Sequence, residues 1–160
     1  MKIKSVFKNN GMIPEKYTCD GANINPPLEF SELPEETKSI ALFVEGADNP
    51  MKIMIHWIVW NIPPERIQVF EKLSPMISVQ GINDFGQNSY NGPCVVSGKH
   101  PYTFKVFALN TLLNLPASSR KSDVERAMQG HILDKAELVG YYSRQKEKPK
   151  GFFGRMFSKK

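Results

Sequence analysis

Short runs of apolar and β-branched residues recur along the chain between turns that contain Pro and Gly. The runs are IKSVF, PPLEF, KSIALFVE, HWIVWNI, ISVQGI and YTFKVFALN. Short strands at this spacing are typical of a β-sandwich with Greek-key connections. The pattern therefore predicts a mainly β domain, in which HWIVWNI, apolar on both faces, is a central strand.

One later segment, SDVERAMQGHILDKAELVGYY, breaks the strand pattern. Ser122 and Glu125 have the spacing of a capping box, and the apolar residues that follow fall on one helical face. We expect one helix from about Asp123 to Gln129 and a second helical stretch from Ile132 to about Leu138. The predicted fold is thus a β-sandwich with short C-terminal helices.

The composition indicates one domain, because 160 residues with 41% hydrophobic content suffice for one core. No run approaches the roughly 20 apolar residues of a membrane span, and we expect a cytoplasmic protein. Cys19 and Cys94 are too few and too far apart in the sequence for a disulfide framework or a metal motif. We therefore expect two buried or idle thiols.

The positive charge lies at the C-terminus. Residues 145–160 carry six lysines and arginines and one glutamate, which accounts for the whole net charge of +5. The remaining body, residues 1–144, is neutral and gives no argument for a nucleic-acid partner. We predict a domain over 1–144 and a disordered basic tail over 145–160; its four aromatic and methionine side chains leave an anionic membrane surface as the alternative.

A single histidine lies inside the apolar run HWIVWNI. Strict alternation would place His56 on one face with Met54, Ile58 and Trp60, and Trp57 on the other. Taken alone, a histidine in such a strand is more often a core residue than a ligand-binding one.

Other polar residues accompany this histidine near the starts of strands. His100 and Tyr102 are two apart in GKHPYTFKVFAL and so face the same side, while Asp48 lies in a predicted turn just before the His56 strand. The loop GINDFGQNSYNGPC precedes the His100 strand. Loops on a rigid scaffold commonly carry function, so we expect these residues to line one polar cavity.

At these residues the chain resembles the phosphatidylethanolamine-binding proteins, in particular the bacterial and archaeal branch called Raf-kinase-inhibitor-like proteins. The matching blocks, in order, are YTCDGANINPPL, LFVEGADNP, HWIVWNIP, GINDFGQNSYNGPC, SGKHPYTFKVFAL and AMQGHILDKAELVGYYSR, from Tyr17 to Arg144. The resemblance implies a compact β-sandwich with a pocket for phosphate-like anions or a phospholipid headgroup. The positions that match the pocket are Asp48, Pro50, His56, Gly92, His100 and Tyr102.

The departures from the family pattern fall within this site. Gly46 stands where the family has the first aspartate of its turn, and Pro101 replaces the usual arginine between His100 and Tyr102. The loss of one carboxylate predicts a less negative pocket, in which an ammonium group would lose its most obvious partner.

We expect a non-catalytic binding protein without a cofactor or a bound metal. Two imidazoles, a phenol and the backbone near Gly92 would supply hydrogen-bond donors to an anion. One alternative is a hydrolase or metal site built from Asp48, His56 and His100, although no catalytic motif accompanies these residues. Another is an interaction protein that inhibits a kinase or a protease, and a homodimer stays an open alternative for its assembly.

Two further motifs receive structural interpretations. The stretch NDFG lacks every companion motif of a kinase, so we expect Asp84 to bond nearby backbone and Gly86 to allow a positive φ. His131 matches a family position after the helix, where packing or capping of the helix end is the expected role.

Overall fold

The computed structural model describes residues 1–72 and 78–144, and the predicted basic tail lies outside these ranges. The strands are β1 (Lys2–Ser5), β2 (Gly11–Met12), β3 (Leu28–Ser31), β4 (Ser39–Asn49), β5 (Lys52–Ile62), β6 (Gln68–Val69), β7 (Val79–Gln80), β8 (Lys99–Leu109) and β9 (Ile132–Ser143). A short 3₁₀ helix spans Glu15–Tyr17, and α1 spans Lys121–Met128. Within the described ranges, no helix has the length and apolarity that a membrane span requires.

Two sheets enclose the main core, which confirms the mainly β sandwich. The larger sheet has the order β2-β9-β8-β4-β5-β7, and the smaller has the order β1-β3-β6. Apolar side chains from both sheets, together with those of the N-terminal segment, form the inner cluster between them. On the opposite face of the larger sheet, Val124 and Met128 of α1 belong to an outer cluster with side chains of β4 and β5.

The first predicted helix is present, but it is capped differently. Helix α1 begins at Lys121, so Ser122 lies inside its first turn rather than at its N-cap. The carboxylate of Asp123 accepts a 2.9 Å hydrogen bond from the backbone N–H of Arg120, which is the N-cap residue. An acidic side chain in the first turn also interacts favourably with the helix dipole.

The second predicted helix is wrong, because residues 132–143 form strand β9. This strand pairs with β8 from Leu109 opposite Ile132 to Lys99 opposite Ser143. Its buried positions alternate at Leu138, Gly140 and Tyr142, which is the period of a strand. The backbone N–H and C=O groups along the edge of β8 need hydrogen-bond partners, and a helix, whose backbone groups bond to one another, could not provide them.

The two cysteines form a disulfide, so the expectation of free thiols is also wrong. Cys19 and Cys94 are 75 residues apart in the sequence, yet their Cα atoms are 5.3 Å apart. The link joins the loop after the 3₁₀ helix to the loop before β8. Closing a loop of this length stabilises the folded state by about 4 kcal/mol in the chain-entropy model.

A β-bulge in β5 sets the orientation of His56. Val44 of β4 pairs with Trp57, while the next residue of β4, Glu45, pairs with Ile55. His56 is therefore an extra residue between two ladder positions, and bulges of this kind re-aim side chains.

The bulge overturns the predicted alternation of side chains along β5. Ile58 and Trp60 belong to the outer cluster, whereas Trp57 belongs to the inner one. The ring of His56 contacts the ring of Tyr102, which is also part of the inner cluster, at a centroid distance of 5.3 Å. His56 and Trp57 thus both turn to the inner side, so His56 does not share the face of Ile58 and Trp60.

A second irregularity in β5 centres on Asn61. The pairs Ile40 with Ile62 and Leu42 with Val59 leave one extra residue in β5. Asn61 has a φ of +58°. Its side chain donates to the carbonyl of Leu113 at 2.9 Å and accepts from the N–H of the same residue at 2.8 Å. The two bonds fix the loop after β8 to the bulge.

Substitution of Asn61 separates the effect of these bonds from the effect of backbone strain. Asn61→Gly removes both side-chain bonds but tolerates a positive φ, so we expect the free energy of unfolding to fall by about 1–2 kcal/mol. Asn61→Ala also forces alanine into the left-handed region, and we expect a further loss of about 1 kcal/mol. Urea denaturation measures both values. Equal losses in the two variants would show that the left-handed backbone carries no cost here.

Candidate functional site

Three of the predicted site residues meet at one end of the larger sheet. The Tyr102 hydroxyl donates a short hydrogen bond to Oδ1 of Asp48. Nε2 of His56 lies 3.9 Å from the same oxygen. His56 and Tyr102 are fully buried, whereas the Asp48 side chain is 17% exposed. Asp48, predicted in a turn, belongs to the last part of β4. The cluster therefore opens to solvent at its carboxylate.

Two glycines make room for Tyr102 in the sheet. Tyr102 pairs with Gly46 of β4 on one side and with Gly140 of β9 on the other. A Cβ atom on Gly46 would lie 2.1 Å from Cδ2 of Tyr102. The Tyr102 ring therefore packs directly over the backbone of Gly46, and the absence of a side chain there lets the hydroxyl reach Asp48.

The backbone of Asn91 determines the tautomer of His56. Nδ1 of His56 lies 2.6 Å from the Asn91 carbonyl oxygen, and a carbonyl can only accept, so Nδ1 carries the hydrogen. The N–H of Asn91 donates in turn to the carbonyl of His56 at 3.0 Å. Burial lowers the pKa of His56 below its ordinary value, although the Asp48 carboxylate and the Asn91 carbonyl oppose this shift. At neutral pH the ring is therefore neutral, with its lone pair on Nε2.

The loop after β7 is organised by a buried asparagine that the sequence interpretation missed. Asn83 is fully buried. Its amide nitrogen donates to the carbonyls of His56 at 3.2 Å and Ser89 at 2.8 Å, and its Oδ1 accepts from the N–H groups of Phe85 and Gln87. These bonds hold the loop against the bulged part of β5.

The NDFG stretch forms a turn in this loop, as predicted. The Asp84 carboxylate accepts from the N–H of Ile55 at 2.7 Å, and Gly86 has a φ of +77°. The turn directs the ring of Phe85 to His56, where the two rings meet edge to face at 5.1 Å. Phe85 is 39% exposed, so it forms an apolar wall between the imidazole and solvent.

The remaining predicted site residues are engaged elsewhere or exposed. Nε2 of His100 lies 2.7 Å from the carbonyl oxygen of Ser97. In the described part of the chain, no hydrogen bond or ion pair joins His100 to Asp48 or His56. Pro50 is exposed after β4. No group of three or more His, Cys, Asp or Glu side chains within residues 1–72 and 78–144 is placed to hold a metal ion.

The glycine expected to offer its backbone to an anion is buried. The N–H of Gly92 donates to Oδ1 of Asn23 at 2.8 Å. A Cβ atom on Gly92 would lie 2.2 Å from the carbonyl oxygen of Tyr17, so only glycine fits where the two loops meet. Gly92 therefore joins the loops, and its N–H is not directed to a ligand.

These contacts leave hydrogen-bond acceptors, rather than the expected donors, available to a ligand. The donors of His56, Gly92 and Tyr102 are all bound to groups of the protein itself. Burial and the bond to Asp48 raise the pKa of Tyr102, so its phenol keeps its hydrogen. The buried Nε2 of His56 has no hydrogen-bond partner among the described residues. The atoms left for a ligand are acceptors, the imidazole lone pair and the carboxylate.

The fold and the site together define a β-sandwich with a buried polar cluster at one end of its larger sheet. The sequence profile of the family described as phosphatidylethanolamine-binding protein matches residues 3–143. The chain belongs to the phosphatidylethanolamine-binding protein family, which confirms the resemblance.

Its relatives include archaeal and bacterial proteins. A UPF0098 protein of Pyrococcus horikoshii is 46% identical over 153 residues, which cover 91% of this chain and 77% of that protein. A UPF0098 protein of Methanothermobacter thermautotrophicus is 45% identical over 150 residues, which cover 90% of this chain and 99% of that protein. These names assign no activity.

Two solved structures share the fold. A phosphatidylethanolamine-binding protein homologue of Chlamydia trachomatis superposes with a TM-score of 0.84 at 38% identity, covering 89% of this chain and 97% of that chain. The Escherichia coli protein YbcL, described as a member of the mammalian family, gives a TM-score of 0.81 at 28% identity, covering 90% of this chain and 98% of that chain.

The packing of Tyr102 over Gly46 predicts a strong coupling between these positions. We expect Gly46→Ala to lower the free energy of unfolding by about 1–3 kcal/mol, because the new methyl group displaces the Tyr102 ring. In a Tyr102→Ala background the same substitution should have little further effect. Urea denaturation of the two single variants and the double variant gives the coupling. An equal loss in both backgrounds would contradict the assigned contact.

Proposed function

We propose that the protein is a non-catalytic binding protein that takes a small phosphorylated ligand, inorganic phosphate or a phospholipid headgroup, at Asp48, His56 and Tyr102. The observation that supports this proposal is the buried Nε2 of His56, which has no hydrogen-bond partner within residues 1–72 and 78–144 and lies 3.9 Å from the Asp48 carboxylate. A buried polar atom without a partner is unfavourable by about 1–3 kcal/mol, which a bound ligand recovers.

The polarity of the site restricts the form in which the ligand binds. Nε2 and Oδ1 of Asp48 both present lone pairs, so a ligand must bring a hydrogen to this point. A phosphate monoanion brings it on a P–OH group, and an ethanolamine headgroup brings it on its ammonium. The dianion of a phosphate monoester has no hydrogen, and the dianion of inorganic phosphate, which keeps one, carries a second negative charge that the Asp48 carboxylate repels.

Several features support binding rather than catalysis. The two cysteines are joined to each other, and the Tyr102 hydroxyl is protonated and bound to Asp48, so neither type of side chain is an activated nucleophile. The same contacts that fix His56 hold it in a single tautomer, which suits the recognition of a hydrogen-bond donor. The family name supports a headgroup as the source of the phosphoryl group.

Calorimetry of the full-length chain with inorganic phosphate and with phosphoethanolamine tests the proposal. We expect binding to both ligands, and a loss of at least about tenfold in affinity in His56→Ala, because the acceptor at Nε2 is gone. The matched control is His131→Ala, since His131 is exposed and contacts Asn110 rather than the site. Circular dichroism checks that each variant is folded.

Three results would contradict the proposal. Unchanged phosphate binding in His56→Ala would place the ligand elsewhere, and the absence of binding to both ligands would mean that the site takes another chemistry. Hydrolysis of a phosphate monoester by the wild-type chain but not by His56→Ala would show that the neutral imidazole acts as a general base.

The affinity for inorganic phosphate should depend on pH. The free site holds a neutral His56 beside the Asp48 carboxylate, which repels the second negative charge of the phosphate dianion, so the site takes the monoanion. Above the second pKa of phosphate, binding therefore takes up about one proton, and affinity should fall by up to about tenfold for each further pH unit. Titrations between pH 6 and 8 in two buffers with different ionisation enthalpies measure this uptake.

Asp48→Asn is the informative variant for this pH dependence. The amide can donate to a phosphate oxygen and removes the charge that repels the dianion. We expect a flatter dependence of affinity on pH than in the wild-type chain. A slope that is unchanged in Asp48→Asn would indicate that the carboxylate does not face the bound phosphate.

A further inference from the structure

The disulfide lies beside the carboxylate of the site. The backbone N–H of Cys94 donates to Oδ1 of Asp48 at 2.9 Å, the same oxygen that accepts from Tyr102. On the other side of the link, the N–H of Cys19 donates to the carbonyl of Pro93 at 3.1 Å. One covalent bond thus secures a segment that contacts Asp48 directly.

An arginine is held next to both sulfur atoms. Nη2 of Arg144 lies 3.4 Å from Sγ of Cys19 and 3.6 Å from Sγ of Cys94. Its Nε is fixed by both carboxylate oxygens of Asp20, at 3.0 and 3.1 Å. A guanidinium in this position stabilises a thiolate, and a stabilised thiolate is a better leaving group in thiol–disulfide exchange.

The disulfide is also accessible from solvent. Cys94 is an exposed residue and Cys19 is half-buried, so an attacking thiolate reaches Sγ of Cys94 more easily. Cys19 is then the leaving group, and its sulfur lies within reach of the Arg144 guanidinium, at 3.4 Å from Nη2. Exposed disulfides next to a cation have the features of exchangeable links rather than of purely structural ones.

We propose that the Cys19–Cys94 disulfide is an exchange site for dithiols, and that its reduction releases residues 91–94, which hold His56 and Asp48 in place. The release of these residues depends on the fold alone, whereas its effect on ligand affinity rests on the function proposed above. The disulfide thus keeps the site ordered for its ligand, and its reduction weakens binding.

The exchange is balanced by the oxidation of the dithiol. One thiolate of the dithiol attacks Sγ of Cys94, the bond between Cys94 and Cys19 breaks, and Cys19 leaves as a thiolate beside Arg144. The second thiol of the reagent loses its proton and attacks the mixed disulfide, which releases Cys94 as a thiolate that takes up a proton. The protein gains two electrons, and the dithiol becomes a cyclic disulfide.

The released segment is the one that closes the site. The carbonyl of Asn91 accepts from His56, and the N–H of Cys94 donates to Asp48, so the positions of His56 and Asp48 both depend on this segment. Tyr90 stays anchored in the inner cluster, where its ring packs against Trp57, whereas after reduction residues 91–94 are attached to the loop at residues 17–23 by exchangeable hydrogen bonds, such as that from Gly92 to Asn23. Local opening of a segment held in this way requires no unfolding of the sheet.

The first measurement is the rate of reduction of the full-length chain by dithiothreitol. We expect Arg144→Gln to slow the reduction at least about threefold, because the departing thiolate loses its cation, and Arg144→Lys to restore most of the rate. Arg126→Gln is the matched control: Arg126 forms a similar exposed ion pair with Asp123 on α1. Equal rates in wild type, Arg144→Gln and Arg126→Gln would overturn the assigned role of Arg144.

The second measurement follows the segment itself by NMR hydrogen exchange in the oxidised and reduced chain. We expect exchange at the Cys94 amide and at Nδ1–H of His56 to quicken at least about tenfold on reduction, while the Phe104 amide within β8 still exchanges far more slowly than either, because it opens only with the whole sheet. Unchanged protection at Cys94 and His56 would overturn the release of the segment. Equal protection at Phe104 and Cys94 in the reduced chain would also overturn it, because the segment would then open only with the whole fold.

Phosphate calorimetry on both redox forms completes the test, and it separates the two proposals. Weaker binding after reduction, together with faster exchange at Cys94, supports regulation of the site. Equal affinities in the two forms would overturn the regulatory effect on the ligand. If neither form binds phosphate, the proposed function fails, while the exchange data decide the release of the segment independently.

Discussion

The hydrogen bond from Nδ1 of His56 to the Asn91 carbonyl is the contact on which the chemistry of the site depends. Because a carbonyl accepts only, this bond places the hydrogen on Nδ1 and leaves a lone pair on Nε2. The reciprocal bond from the N–H of Asn91 to the His56 carbonyl holds the backbone of the bulge as well as its ring. One residue of a loop thus determines both where the imidazole points and what it can recognise.

The bulge at His56 and the loop after β7 stabilise each other. An extra residue in β5 leaves backbone groups that the ladder with β4 cannot satisfy, and buried groups of this kind need partners. Asp84 accepts from the N–H of Ile55 and donates its own N–H to the Ile55 carbonyl, while Asn83 and Asn91 bond to the carbonyl of His56. The polar residues of the loop therefore stabilise an irregular strand, and the irregular strand turns His56 toward Tyr102.

The sequence predicts the strands well where apolar runs are long, as in β4, β5 and β8. It fails at β9, because the polar, helix-forming residues around Lys135 and Glu137 have no strand-like local preference, and pairing with β8 decides their structure.

In the site, Asp48, His56 and Tyr102 could be found from the resemblance. The roles of Asn83, Phe85 and Asn91 could not be predicted from the sequence. They depend on the directions in which backbone carbonyls point and on the bulge in β5, and no pattern of residue types indicates either. The disulfide was missed for a similar reason, since only the fold brings two loops 75 residues apart together.

Gly46 affects the site in two ways. It removes the carboxylate that the family has at this position, and, more importantly, it leaves space for the ring of Tyr102. Tyr102 occupies the space above Gly46, and its hydroxyl hydrogen satisfies one lone pair of the Asp48 carboxylate. The site therefore retains one negative charge beside a neutral imidazole, in a setting where burial strengthens electrostatic interactions. A ligand must compensate that charge with a hydrogen rather than add to it. For the phosphorylated ligand proposed above, the protonation state, more than the size, is therefore the property that this arrangement of residues would distinguish.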